Sequence, residues 1–176
     1  MSTKKCFSDW MRVDLHIHTN KSKETKNNDY WGPFSTAILK EKLKENNVSI
    51  FSLTDHNIIN VDAYNEYVDS YNGDLDDPFP MLGFEADIAV DASGVPKTYH
   101  ALVIFAEDIT KNKSAINEFS QKLETAYRHI ADKKQRQLNF EQLIDAFDTD
   151  EFLLIVHSGS HKSIVEAYRG NVETAQ

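Results

Sequence analysis

Residues 11–18 read MRVDLHIH and residues 48–57 read VSIFSLTDHN, and each is a short apolar run that leads into histidine. In the first stretch apolar residues occupy every second position, which is the period of a β-strand. The second stretch begins as an apolar strand and changes abruptly at 54–57 to four polar residues. Both predicted strands therefore end in side chains that either meet solvent or belong to a site.

A helix is predicted between these two strands, and the same alternation continues along the chain. Pro33 and Ser35 mark the start of this helix, which extends to residue 46. Strands that alternate with helices predict an α/β fold with a largely parallel sheet. A continuous apolar run at 152–156 is typical of a strand buried on both faces. The remaining pattern predicts helices over 61–71, 114–133, after Asn139 and over 163–169, and strands over 81–90 and 98–105 that form a hairpin.

Composition limits the class of protein. The 176 residues, 40% of them hydrophobic, suit one domain over 1–176 with its own core. No apolar run approaches the roughly 20 residues of a transmembrane helix, and the N-terminus lacks the apolar core of a secretory signal. The single cysteine, Cys6, favours a reducing, cytoplasmic location. A net charge of -9 argues against a non-specific nucleic-acid binder, but not against a metal-dependent nucleic-acid enzyme.

The seven histidines are distributed unevenly. His129 falls in the predicted long helix and is interpreted as a surface residue, and His161 falls at a predicted helix start. In parallel sheets of α/β folds the carboxyl ends of the strands gather at one edge, where active groups lie. The other five lie in or directly after apolar runs: His16, His18, His56, His100 and His157.

Glu85 is a carboxylate inside the apolar stretch MLGFEADIAV, residues 81–90. A buried carboxylate requires a cation or several hydrogen-bond donors. Gly83 would let another group approach the backbone there. Asp87 shares the strand face of Glu85 and is predicted to support the site from behind it or to be structural.

These residues together predict a metal site. His16 and His18 point to one face of a strand, where two imidazoles can share a metal. Imidazole and carboxylate ligands suit Zn, Mn or Fe. A pair of surface histidines and a loop with a helix cap at 54–57 stay open as alternatives. Nucleophilic catalysis explains the set less well, because the chain has no G-x-S-x-G elbow and no phosphate-binding glycine loop.

Five pieces of the sequence resemble the PHP domain, the family named for polymerases and histidinol phosphatase. They are DLHIHT at 14–19, TDHN at 54–57, GFE at 83–85, His100 and VHSGS at 156–160, in the family's order over most of the chain. The resemblance implies a distorted (β/α)7-type barrel, up to three divalent metals and hydrolysis of phosphoesters. More weakly, the N-terminal part resembles PHP modules fused to a large ATPase.

The resemblance also implies roles for individual residues. His16 and His18 would bind a first metal with a bridging Glu85. Glu85, His100 and His157 would bind a second metal, and His56 a third. Glu24 is the nearest acid to a further ligand position of the family, and Asp55 and His56 would transfer protons.

The family's C-terminal Asp-x-His has no counterpart after His161, so we expect an incomplete barrel and a fragment of a longer protein. The implied substrate is a phosphorylated small molecule or a nucleic acid, with an ATPase domain in the same or a partner chain and no membrane partner. One alternative is a degenerate, non-catalytic PHP fold that regulates or binds a partner. Another is an amidohydrolase-type metal hydrolase, which also opens with His-x-His.

Overall fold

The computed structural model describes residues 10–26, 33–74, 76–92 and 95–158. The predicted helix over 163–169 and His161 lie outside these residues. The described elements follow the predicted alternation, with three short additions. In chain order they are β1 (Arg12–Ile17), α1 (Ser22–Thr25), α2 (Thr36–Glu45), β2 (Val48–Leu53), α3 (Val61–Asp69), β3 (Phe79–Met81), β4 (Gly83–Ala92), β5 (Val95–Phe105), α4 (Ser114–Ala126), a 3₁₀ turn (Lys133–Gln135), α5 (Phe140–Ala146) and β6 (Phe152–Val156).

The strands form two three-stranded sheets. In the first, β1, β2 and β3 are parallel in that order. In the second, β4, β5 and β6 are antiparallel in that order, which confirms the predicted hairpin. An isolated parallel bridge between His56 and Glu85 connects the two sheets. The fold is therefore mixed α/β, and the expected parallel pairing holds for only one sheet. The described residues do not close into a barrel.

The extent of one helix and the burial of one strand differ from the sequence-based prediction. The long helix was expected to reach residue 133, but α4 ends at Ala126. The backbone N–H of Tyr127 closes its last turn by donating to Leu123 O at 3.1 Å. The strand at 152–156 was expected to be buried on both faces, but β6 is the last strand of its sheet and Leu153 is 59% exposed. Among the described helices, none combines the length and apolar character needed to cross a bilayer.

The predicted strand over 81–90 is divided between the sheets at Leu82. The buried Tyr64 hydroxyl lies at this break, where it approaches Met81 O at 2.9 Å and Gly83 N at 3.0 Å. The same hydroxyl also accepts the N–H of Leu53 at 2.9 Å. One side chain thus satisfies backbone groups from both sheets at the point where they separate.

Gly83 is required by the close packing of the sheets. A Cβ at this position would lie 2.6 Å from Ser52 Oγ and 2.8 Å from the carbonyl oxygen of Val103. The backbone carbonyl of Val103 cannot move away as the end of a flexible side chain could. We therefore expect Gly83→Ala to lower the free energy of unfolding by about 3 kcal/mol, at the upper end for overpacking.

Thermal or urea unfolding of the purified variant tests this expectation. Gly73→Ala is the contrasting variant, because Gly73 has open space around it and only a positive φ of 76°. Its expected loss is about 1 kcal/mol. Equal losses in the two variants would contradict the packing argument.

Candidate metal centre

Five imidazole rings surround the carboxylate of Glu85, which is 1% exposed. Successive rings are in contact, so the rings form a closed circle. The centroid distances are 4.9 Å for His16–His18, 4.6 Å for His18–His56, 5.2 Å for His56–His100, 5.6 Å for His100–His157 and 4.9 Å for His157–His16. These six residues are called the histidine–glutamate cluster below.

Backbone pairing at the strand ends brings the cluster together. Glu85 N donates to Asp55 O at 3.0 Å and Asn57 N donates to Glu85 O at 2.6 Å, which places His56 directly beside Glu85. His157 N donates to His100 O at 3.0 Å, which joins the end of β6 to β5. The cluster therefore collects side chains from both sheets.

The two oxygens of Glu85 face different histidines. Oε2 lies 3.4 Å from His16 Nε2, 3.1 Å from His18 Nε2 and 2.9 Å from His56 Nδ1. Oε1 lies 2.6 Å from His100 Nδ1 and 3.5 Å from His157 Nε2. The expected proximity of His16 and Glu85 is confirmed, and the carboxylate lies between two groups of nitrogens as a bridging ligand would.

The electrostatics of the cluster are dominated by these pairs. Burial alone would raise the pKa of Glu85, but the close approach of the His100, His16 and His18 rings holds it well below its usual range. Burial alone would lower the pKa of His100, but Asp87 and Glu85 raise it to about 9. Burial lowers the pKa of His157. Glu85 and His100 thus each stabilise the charged form of the other.

Hydrogen bonds alone do not satisfy the cluster. A carboxylate has about four lone-pair sites, yet five imidazole nitrogens approach Glu85. Among the described residues, Glu85 Oε1, His56 Nδ1 and His157 Nε2 are buried atoms without a hydrogen bond of acceptable direction. Close approach without that direction is what atoms sharing a cation would show.

The spacing of the donor atoms fits a metal ion. Ligands about 2.1 Å from a common ion lie about 3.0–3.4 Å apart in octahedral or tetrahedral geometry. His16 Nε2, His18 Nε2 and Glu85 Oε2 are mutually separated by 3.0, 3.1 and 3.4 Å. A second group with suitable donor atoms is His56, Glu85 and His100. The resemblance had implied His157 in the place of His56 in this second group.

Neither a family profile nor a curated protein matches this sequence.

Asp55 belongs to neither group of candidate metal-binding atoms in the described residues. It is fully buried, and its oxygens accept hydrogen bonds from Thr19 N at 2.7 Å, Thr19 Oγ1 at 2.6 Å and Ser22 Oγ at 2.7 Å. The carboxylate therefore ties the segment after β1 to the end of β2. Its geometry is that of a positioning residue.

The contact of Ser22 with Asp55 also determines the tautomer of His18. Ser22 Oγ has one proton, which it donates to Asp55, and it lies 3.0 Å from His18 Nδ1. Oγ must then accept, so Nδ1 of His18 carries a proton. In the neutral ring the lone pair is on Nε2, the nitrogen that faces His16 and Glu85.

Glu24, which was a predicted ligand, and His129, which was interpreted as a surface residue, both lie outside the cluster. Glu24 binds Lys21 at 2.8 Å and Lys133 at 2.9 Å, and it belongs to neither group of metal-binding donor atoms in the described chain. The hydrogen bonds from Lys21 and Lys133 lower the pKa of Glu24, and burial opposes this shift only in part. His129 is exposed in the turn that follows α4, with its Nε2 3.0 Å from Arg128 Nε.

The sequence analysis missed Ser22, which contacts His18 of the cluster from α1, and Lys26, which pairs with Asp87. Thr25 Oγ1 also donates to His56 O at 2.5 Å. The only available signal was the position of Ser22, four residues after His18. A helix of four residues without an apolar stripe has no periodic pattern to reveal it.

A groove of about 260 Å³ adjoins the cluster at His18. Phe34, Ile38 and Leu39 contribute apolar surface, and Lys42 adds a cation. His16, with 39% of its side chain exposed, and His157, with 24%, give the cluster its open side. A small molecule can therefore reach the histidines from solvent.

Proposed function

We propose that this protein is a metal-dependent phosphoesterase of the PHP type, with divalent cations bound by the histidine–glutamate cluster. The observation that carries the proposal is the approach of five imidazole nitrogens to the two oxygens of one buried carboxylate. The sequence resemblance supports the same assignment through DLHIHT, TDHN and GFE. A distorted barrel of the PHP type is the fold proposed for the complete domain.

The donor set fits Zn, Mn or Fe, which accept imidazole and carboxylate ligands together. When bound, such cations supply a nucleophilic water near neutral pH and hold the phosphoryl oxygens. His16, His18 and Glu85 form one candidate site, and His56, Glu85 and His100 form another. Glu85 belongs to both candidate sites, so its negative charge would contribute to the binding of two cations.

The chain's own residues would orient and shield the reaction. Ser22 and Asp55 fix the ring of His18, and the buried His56 and Glu85 close the inner side of the cluster to water. The groove beside His18 gives room for the alcohol part of a small phosphoester. Proton transfer by Asp55 loses support, because three donors already occupy its oxygens; His56 stays as the proposed proton-transfer residue.

Metal addition gives the first test. Protein purified with a chelator should bind Zn²⁺ or Mn²⁺, and saturating metal should raise the midpoint of thermal unfolding because only the folded state assembles the ligands. At a free-metal concentration of about 100 times Kd, the expected stabilisation is roughly 2.7 kcal/mol. Elemental analysis after gel filtration measures the bound metal. The proposal fails if no metal is retained and the unfolding midpoint does not move.

Hydrolysis gives the second test. The metal-loaded chain is assayed with p-nitrophenyl phosphate and bis(p-nitrophenyl) phosphate, and chelation should stop release of p-nitrophenol. A preference for the monoester favours a small phosphorylated substrate, and a preference for the diester favours a nucleic acid. Metal binding with neither activity would favour the non-catalytic alternative. Hydrolysis of an amide substrate, with no hydrolysis of either phosphoester, would favour the amidohydrolase alternative.

A further inference from the structure

Asp87 contacts His100 on the side of the ring away from Glu85. It lies two residues after Glu85 on β4, so both carboxylates point to the same face. It also stands directly opposite His100 in the β4–β5 pair, and its side chain is 1% exposed. The ring of His100 is therefore held between two carboxylates.

The two ring nitrogens of His100 have separate partners. Nδ1 lies 2.6 Å from Glu85 Oε1, and Nε2 lies 2.9 Å from Asp87 Oδ1. Within the described residues, neither Nε2 nor Asp87 Oδ1 makes a hydrogen bond of acceptable direction, although the two atoms lie at hydrogen-bond distance from each other. Their separation of 2.9 Å is that of a charge-assisted hydrogen bond, so a proton aligned between them would satisfy both buried atoms.

Lys26 decides which of the two atoms carries that proton. Lys26 is the residue directly after α1, and its ammonium group forms an ion pair with Asp87 Oδ2. An aspartate in an ion pair is ionised and has only acceptor atoms. The proton must then be on Nε2 of His100, and a histidine that ligates a metal through one nitrogen keeps its proton on the other.

We propose that Asp87, held by Lys26, is a positioning residue that commits Nδ1 of His100 to the metal in the group formed with His56 and Glu85. This inference rests on the proposed metal site. Ser22 has the corresponding effect on His18, where it accepts from Nδ1 and leaves Nε2 to the metal. The short segment from Ser22 to Lys26 thus selects the ligating nitrogen of one histidine in each sheet.

Zinc affinity of single variants is the first measurement. In competition with a chromophoric chelator, Asp87→Ala should weaken one zinc site by about 10–100-fold, the usual cost of removing an outer partner of a metal-bound histidine. Asp87→Asn should lose less, because its amide oxygen can still accept from Nε2. Lys26→Met should cause a smaller loss of the same site. Asp145→Ala, which removes an exposed aspartate on α5, should leave both sites unchanged.

The ligating nitrogen itself is the second measurement, and a merely structural role would not change it. In protein loaded with ¹¹³Cd²⁺ and labelled with ¹⁵N-histidine, the metal should couple to Nδ1 of His100 in the wild type. In Asp87→Ala, coupling should divide between Nδ1 and Nε2. In a His100→Ala background, Asp87→Ala should not lower zinc affinity further, because the residue it orients is already gone.

The outcomes separate this inference from the proposed function. Tight zinc binding by the wild type with equal affinity in Asp87→Ala, or coupling to Nε2 of His100 in the wild type, overturns only the role of Asp87. A wild-type chain that binds no zinc overturns both. Should Asp87→Ala fail to fold, Asp87→Asn and Lys26→Met supply the same comparison, and unchanged affinity in both would count against the inference.

Discussion

Glu85→Gln should abolish tight metal binding at both candidate sites, with an affinity loss beyond about 100-fold. The substitution keeps the shape of the side chain and removes the negative charge that both groups of donors share. A residue that only supports a ligand costs 10–100-fold when it is removed, and the loss of a bridging charge should exceed that range. Elemental analysis and chelator competition measure the loss. The midpoint of thermal unfolding should also stop responding to zinc.

Glu66→Gln is the matched control, because Glu66 is exposed on α3 and belongs to neither candidate group of metal-binding atoms in the described residues. It should bind metal as the wild type does. Glu85→Gln also changes the metal-free protein, since His100 loses one of its two anionic partners. Unfolding of both variants without metal therefore accompanies the binding measurement. Retention of two bound metals by a folded Glu85→Gln protein would exclude Glu85 as the bridge.

The parts of this site that could be predicted from sequence are those that follow from local pattern. Alternation in β1 placed His16 and His18 on one face, and an acid inside an apolar strand identified Glu85. The ends of β1 and β2 do lie together, because parallel strands gather their carboxyl ends at one edge. Local pattern was thus sufficient for the histidines and for the acid between them.

The division of residues 79–92 between two sheets could not be predicted in this way. The sequence predicts one strand over 81–90, and the break at Leu82 depends on which strands pair on each side of it. Only the folded chain places Tyr64 at that break. The hairpin of β4 and β5 was predicted, but the antiparallel pairing of β6 with β5 was not, because the alternation of helices and strands suggested a largely parallel sheet.

The positioning residues were also beyond the reach of sequence reasoning. Asp87 was recognised as an acid on the correct face, but its role depends on Lys26, which is 61 residues away in the chain. The tautomers of His18 and His100 follow from counting protons among side chains in contact. Such counting requires the contacts themselves, which neither periodicity nor spacing provides.

His16→Ala should reduce phosphoester turnover by at least about 100-fold while leaving the fold nearly as stable as the wild type. The ring supplies one of three donors in its group, and its loss opens the first candidate site to water. Because 39% of the His16 side chain is exposed, truncation should cost roughly 0.5 kcal/mol or less in the metal-free protein.

His129→Ala is the matched control, since His129 is an exposed histidine outside the cluster, and it should keep full turnover. Steady-state rates at saturating manganese or zinc, measured beside metal-free unfolding curves, separate catalysis from stability. Equal losses of turnover in the two variants would show that the cluster is not the active site.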